Sequence, residues 1–157
     1  MSFVRIWVHA VWATKKREPY LEDKKVRYAM FDHIRENCRK KGIYLDQING
    51  WVEHCHATIS LAADASIGKT MQLIKGESSH WINNTAKLLP NKFEWCNDYY
   101  AVSVSESALA DVQKYVSNQE EHHGSHSFED ECKKFIERYG FTQMLGNEDE
   151  RGIVVAG

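Results

Sequence analysis

Between residues 54 and 61 the two kinds of side chain alternate without a break: His54, His56, Thr58 and Ser60 share one parity, while Cys55, Ala57, Ile59 and Leu61 share the other. A period of two marks a strand whose faces meet different surroundings. Residues 43–52 read as a strand as well, and the tight connection at Val52-Glu53 makes the two an antiparallel pair. Residues 3–13 are rich in β-branched and aromatic side chains, which predicts a first strand buried on at least one face. Pro19 helps close the loop after it. From about Lys24 to Lys41 the period changes, with Val26, Met30, Phe31, Ile34 and Cys38 at three- and four-residue spacing, which predicts an amphipathic helix ending at Gly42. Ser66 caps a second helix running to about Asn84, with Ile67, Met71, Ile74 and Trp81 on its buried side and Gly76 as an unexpected interior residue. After the Leu89-Pro90-Asn91 turn, residues 99–104 form a last strand, and Ser105 or Ser107 begins a helix through about His122. The polar break His123-Gly124-Ser125 separates it from a final amphipathic helix, Phe128 to Tyr139.

This order of elements predicts an α+β protein, a ferredoxin-like antiparallel sheet with helices packed on one face and the helix carrying Tyr115 near the C-terminus. One domain over residues 1–145 is expected, followed by an irregular tail, 146–157, without periodicity. No stretch approaches the roughly 20 apolar residues of a membrane helix, and the first residues lack a signal peptide's pattern, so a cytoplasmic protein is expected. Cys38, Cys55, Cys96 and Cys132 form no C-x-x-C pair, which argues against a zinc finger or a disulfide scaffold and for reduced thiols.

The net charge of −2 hides an asymmetry: residues 1–92 carry 15 Lys and Arg against 9 Asp and Glu, whereas residues 93–157 carry 5 against 13. A basic surface can therefore sit on a mildly acidic protein, with Lys15-Lys16-Arg17, Lys24-Lys25, Arg39-Lys40-Lys41, Lys69 and Lys75 as candidate phosphate contacts.

The candidate chemistry lies on two elements. Histidines at i and i+2 of one strand put both imidazoles on one face, roughly 7 Å apart at the backbone and within reach of a single metal ion. On the helix after the last strand, Tyr115, Gln119 and His122 line one side, with Leu109, Val112 and Val116 beside them. His122, His123 and His126 are rival third ligands, though histidines at a polar helix end read more readily as solvent-exposed. Trp7, Trp12, Trp51, Trp81 and Trp95 offer base-stacking surfaces, but a place in the core explains most of them better.

The segments Gly50-Trp51-Val52-Glu53-His54-Cys55-His56, Leu73-Ile74-Lys75-Gly76-Glu77-Ser78-Ser79 and Lys114-Tyr115-Val116-Ser117-Asn118-Gln119-Glu120-Glu121-His122 closely resemble the single-tyrosine HUH transposases of the smallest insertion sequences, relatives of the REP-associated tyrosine transposases. The likeness runs over about residues 3–140. It implies a homodimeric transposase that cuts and rejoins single-stranded DNA at hairpin ends through a covalent 5′-phosphotyrosine link, without a nucleotide cofactor. By the same resemblance His54, His56 and Gln119 bind a divalent metal and Tyr115 is the nucleophile; the donor set suits Mg2+ or Mn2+, and the candidate DNA contacts are Lys15, Lys16, Arg17, Lys69, Lys75 and Ser78. Two positions depart from the family's pattern: Glu77 reduces the positive charge expected around Lys75-Gly76, and Asn97-Asp98 stands where the family often has glycine. The chemistry is coherent, because attack on a phosphodiester needs an in-line nucleophile and a Lewis acid against the charge developing on the phosphoryl oxygens.

Two rival readings use the same residues. A two-histidine phosphoesterase would employ His56-Ala57-Thr58 and His123-Gly124-Ser125, but it needs both motifs on facing strands and gives Tyr115 and Gln119 no purpose. A non-cutting, domesticated DNA hairpin-binding module would keep the fold and lose the chemistry.

Overall fold

The computed structural model describes residues 2–140. The expected tail, 146–157, and the end of the expected domain at residue 145 lie outside the described residues. The elements are β1 (Ile6–Ala13), α1 (Lys24–Lys40), β2 (Tyr44–Gly50), β3 (His54–Leu61), α2 (Ile67–His80), β4 (Tyr100–Val104), α3 (Leu109–Ser117), α4 (Gln119–His123) and α5 (Phe128–Tyr139). The strands form one antiparallel sheet in the order β2-β3-β1-β4. The two strands central in space, β1 and β3, are buried over most of their length, and β3 carries the histidine pair.

The two faces of the sheet are filled differently. Ala10 and Trp12 of β1, Ile48 of β2, and Cys55, Ala57 and Ile59 of β3 point into the larger core, where they meet Met30, Phe31, Ile34 and Cys38 of α1 and Met71 and Ile74 of α2. Burying a side chain such as Met30 or Ile34 completely is worth about 1.5–3 kcal/mol, so this face supplies most of the cohesion. Helices α1 and α2 thus cover one face as expected. The opposite face is covered too: Val11, Ala13 and Tyr100 pack against Phe128 and Cys132 of α5, with Phe135 and Ile136 partly buried beside them. Chain parity alone places His54 and His56 on this second face, between the sheet and α3–α5.

Several boundaries differ from the sequence reading for identifiable reasons. The β1 ladder begins at Ile6, paired with Leu61, because residues 3–5 have no partner strand; Phe3 is 92% exposed. The third helix starts at Leu109 rather than at Ser105 or Ser107, since the Ser105 hydroxyl and carbonyl both accept from the Ala108 N–H and hold a turn there first. It also breaks at Asn118 (φ −99°, ψ 19°), which separates α3 from α4. The second helix is capped by Ser66 as expected, but beyond His80 it widens into a π-helical turn, Trp81–Ala86. All four cysteines are buried and none forms a disulfide.

Two local devices set the site in place. Gly50 approaches the next strand so closely that a Cβ there would lie 2.1 Å from the His54 carbonyl oxygen, so the hairpin between β2 and β3 closes tightly enough only with glycine. On the same edge strand, α3 is tied down over β2: Gln113 and Thr58 both donate to Asp46 (2.8 and 2.9 Å), and Asn49 donates to the Ser117 carbonyl (3.0 Å). Buried Arg27 of α1 and Tyr28 donate to Glu120 (3.0 and 2.7 Å), which fixes α4 next to them.

Candidate metal centre and tyrosine

His54 and His56 are fully buried, and each is held by its Nδ1 side. His54 Nδ1 lies 2.7 Å from Glu53 Oε1, and His56 Nδ1 lies 2.9 Å from His9 Nε2. Fixing one ring nitrogen leaves the other to face inward, which is how metal-binding histidines are oriented by their outer partners. Both Nε2 atoms face Glu131 Oε1, at 3.4 Å from His54 and 2.7 Å from His56. His123 Nε2 lies 3.5 Å from Glu131 Oε2, and Gln119 Oε1 sits within 3.3 Å of His54 Nε2 and 3.1 Å of His123 Nε2. One ligand atom each from His54, His56, His123 and Glu131 lies within 4.8 Å of all the others, so this histidine and carboxylate cluster can hold a metal ion. Neutral imidazoles with one carboxylate are a donor set that divalent transition metals accept readily.

Tyr115 reaches the same cluster from α3. Its hydroxyl donates to Glu131 Oε2, and its ring lies edge-on to His56 with centroids 5.5 Å apart. Gln119 donates back to the Tyr115 carbonyl (3.2 Å), so the break at Asn118 does not separate the two. A cleft of about 750 Å³ between β4, α3 and α5 opens onto Tyr115, His9 and Glu131, with Lys134 and Arg138 at its rim.

The electrostatics follow from burial and from Glu131. Burial penalises the charged carboxylate, yet the charge of His56 and hydrogen bonds from His123, His54 and His56 outweigh it and hold Glu131 well below the usual carboxylate range. Burial, and secondarily the Glu131 charge, pushes the Tyr115 phenol well up. Burial lowers His56 to about 4 and, with the neighbouring His56 charge, His9 to about 3, so both are neutral near pH 7. Burial also works against protonation of His54, but the hydrogen bonds and charges of Glu131 and Glu53 outweigh it and raise its pKa.

Sequence reasoning thus finds four residues that the fold brings together, His54, His56, Tyr115 and Gln119, and weighs His123 only as a rival. Its side chain is 1% exposed rather than solvent-facing. Glu131 and His9 were missed. Glu131 stands in an acidic first turn, Glu129-Asp130-Glu131, that reads as an ordinary solvated helix start; His9 has the parity of Val11, next to β3, and that is the one signal available.

The expected DNA contacts are dispersed. Arg17 lies over the Phe128 ring (5.5 Å), which itself stacks on His54 (4.0 Å), so it is at the site. Lys15 pairs with Glu94 (3.7 Å), and Lys16 is exposed in the same turn. Lys69 is exposed on α2, across the sheet from Tyr115, and Lys75 on the same helix donates to the Asn97 carbonyl (2.7 Å). Ser78 does not reach the surface: it is buried, accepting from the Trp95 indole (2.9 Å). Glu77, the departure noted in the sequence, bonds His33 (2.8 Å). No helix among the described residues is long and apolar enough to cross a membrane. The second phosphoesterase motif, His123-Gly124-Ser125, ends a helix instead of lying on a facing strand.

Known proteins resemble this chain in sequence and in fold. A transposase from Deinococcus radiodurans, ISDra2 transposase TnpA, is 24% identical over 115 residues, which cover 71% of this chain and 81% of that protein. The crystal structure of a candidate transposase from Deinococcus radiodurans R1 superposes with a TM-score of 0.58 at 24% identity, covering 75% of this chain and 93% of that one. The REP-associated tyrosine transposase bound to a REP hairpin superposes with a TM-score of 0.55 at 16% identity, covering 81% and 72%. Both share the fold. Residues 2–119 match the family described as Transposase IS200 like, a span that contains both strand histidines, Tyr115 and Gln119. With so much of its length in that match, this chain belongs to the IS200-like transposases, a family of DNA-processing enzymes.

Proposed function

We propose that this transposase is a metal-dependent single-stranded DNA endonuclease and strand transferase in which Tyr115 is the nucleophile and His54, His56 and Gln119 hold the metal. The observation that carries this reading is the convergence of the Tyr115 hydroxyl and the two strand imidazoles on one carboxylate, on one face of the sheet and within one chain. The Tyr115 oxygen attacks phosphorus, the bond to the 3′ oxygen breaks, and the 5′ phosphate remains on the tyrosine. The proton lost by the phenol balances the one taken up by the departing 3′ oxygen. Because a phosphoester bond is kept throughout, a free 3′ hydroxyl can reverse the step onto another strand without a nucleotide cofactor.

A divalent cation, Mg2+ or Mn2+, supplies positive charge beside the phosphoryl oxygens when bound. Everything else falls to the chain. Glu53 and His9 orient the two imidazoles, and Gln119 holds the Tyr115 turn. The cleft under Lys134 and Arg138 admits a single strand to the tyrosine. Lys15, Lys16, Arg17, Lys69 and Lys75 contribute phosphate contacts, with hairpin DNA as the partner and a homodimer as the working assembly. The REP-hairpin complex of the neighbour with the same fold supports the hairpin reading.

The test is a labelled single strand from the DNA flanking the gene, incubated with protein and Mn2+ and run under denaturing conditions. A label that stays with the protein, disappears with chelator and is absent in Tyr115→Phe, while that variant still binds the strand, supports the mechanism. Binding without any covalent product in the wild type would instead identify a hairpin-binding module that does not cut.

A further inference from the structure

We propose that Glu131 is itself a metal ligand, supplied by α5 together with His123, so that the metal centre of this chain extends past His54, His56 and Gln119 into its C-terminal helix. The inference rests on the reading that the strand histidines hold a cation. It concerns residues outside the family match, which ends at residue 119.

Three observations carry it. Glu131 is 3% exposed, whereas its neighbours Glu129 and Asp130 in the same turn face solvent. A buried carboxylate costs several kcal/mol unless something of opposite charge faces it. Among the described residues no Lys or Arg forms an ion pair with Glu131; it is surrounded by His54, His56, His122, His123 and the Tyr115 hydroxyl.

The donors are also aimed. With both strand histidines held from behind by Glu53 and His9, their Nε2 atoms point to the carboxylate, and His123 adds a third nitrogen from a different helix. Such an arrangement presents lone pairs to one shared point, which is what a cation takes.

Finally, α5 has modest apolar anchoring. Phe128 and Cys132 are buried, and Phe135 and Ile136 only partly so. Glu131 lies between these anchors, so a ligand bond there would pin the helix, and through the Glu131–Tyr115 hydrogen bond it would also fix the tyrosine. Three imidazole nitrogens and a carboxylate favour Mn2+ or Co2+ over Mg2+, which prefers an all-oxygen shell.

The experiment titrates the full chain with Mn2+ by calorimetry, in the wild type, Glu131→Gln and His54→Ala, with the visible spectrum of added Co2+ as a second readout. The proposal expects Glu131→Gln to weaken Mn2+ binding at least about tenfold and to change the Co2+ spectrum, and excess Mg2+ to displace Mn2+ poorly from the wild type. If Glu131→Gln does not fold, amide exchange in the wild type decides: Mn2+ should slow exchange across residues 128–139, and should fail to do so in His54→Ala. Glu131→Gln binding Mn2+ like the wild type with the same Co2+ spectrum, or α5 exchanging alike with and without Mn2+, overturns the proposal. If His54→Ala also binds Mn2+ unchanged, the strand-histidine reading falls with it; if only His54→Ala loses binding, that reading stands and the Glu131 ligand alone is refuted.

Discussion

Replacing Glu53 by alanine should weaken metal binding without touching any residue that faces the metal. Glu53 Oε1 lies 2.7 Å from His54 Nδ1, and His54 is completely buried, so the carboxylate fixes both the ring's angle and the nitrogen that carries its proton. The lone pair of Nε2 is thereby turned toward Gln119 and Glu131. Loss of such an outer partner typically lowers metal affinity about 10–100-fold, or about 1.4–2.7 kcal/mol. The Glu53 side chain is 17% exposed, so water can replace part of its role, and the low end, about tenfold, is expected. Glu53→Gln keeps an acceptor oxygen and loses only the charge, so it should fall between alanine and the wild type. Glu53 is also among the groups that raise the His54 pKa, so its removal lowers the proton affinity that competes with the metal. The comparison is therefore made at several pH values, so that a change in the competition between the proton and the metal at His54 shows as a pH dependence rather than as a lost contact. Calorimetric titration with Mn2+ is the assay, with circular dichroism to show that the fold is intact. An alanine variant that is folded and binds Mn2+ indistinguishably from the wild type would refute the claim that Glu53 orients His54.

Gly50→Ala should destabilise the protein by about 1–3 kcal/mol in urea unfolding, because its Cβ would meet the His54 carbonyl at 2.1 Å and must push β3 aside; metal affinity should fall in parallel. Gly76→Ala should do the reverse: nothing lies within 4 Å of the added methyl, so relief of the helix-interior glycine penalty stabilises by about 0.5–1 kcal/mol. In chelator, stability should peak near neutrality. His9 and His56 have folded pKa values of about 3 and about 4, below the ordinary 6.5, so the stability they contribute is present above pH 6.5 and drains away as pH falls toward 4. His54, raised by its two carboxylates, contributes in the opposite sense, below pH 6.5, and loses that contribution as pH rises through its folded value. Thermal melts across pH would show a dome, and a monotonic rise in stability into acid would contradict the assignment of neutral His9 and His56.

The elements that the sequence revealed best were those whose pattern is set by one large partner. The helix expected at Lys24–Lys41 spans Lys24–Lys40, because it buries a continuous apolar stripe against the sheet, and the one expected at Phe128–Tyr139 has those bounds, because Ser127 caps its start and Gly140 ends it. The alternation over β3 placed His54 and His56 on one face, as the structure has them. What stayed hidden depends on contacts distant in sequence. Glu131 meets His56 across 75 positions, and nothing within its own turn distinguishes it from the solvent-facing Glu129 and Asp130. His123 reads as polar and exposed until α4 is seen folded back over β3, a path made by the break at Asn118 and by Arg27 and Tyr28 holding Glu120. Ser78 looked like a DNA contact close to Lys75, yet its partner, Trp95, arrives from 17 residues away and draws it into the core.

The central claim is that the Tyr115 oxygen becomes bonded to DNA. The most direct measurement is digestion of the covalent product formed with Mn2+ and a cleavable single strand, followed by mass spectrometry of the peptides. The account predicts a nucleotide phosphate on the peptide containing Tyr115 and on no other. A covalent product mapped to any different residue, or one that forms undiminished in Tyr115→Phe, would contradict it.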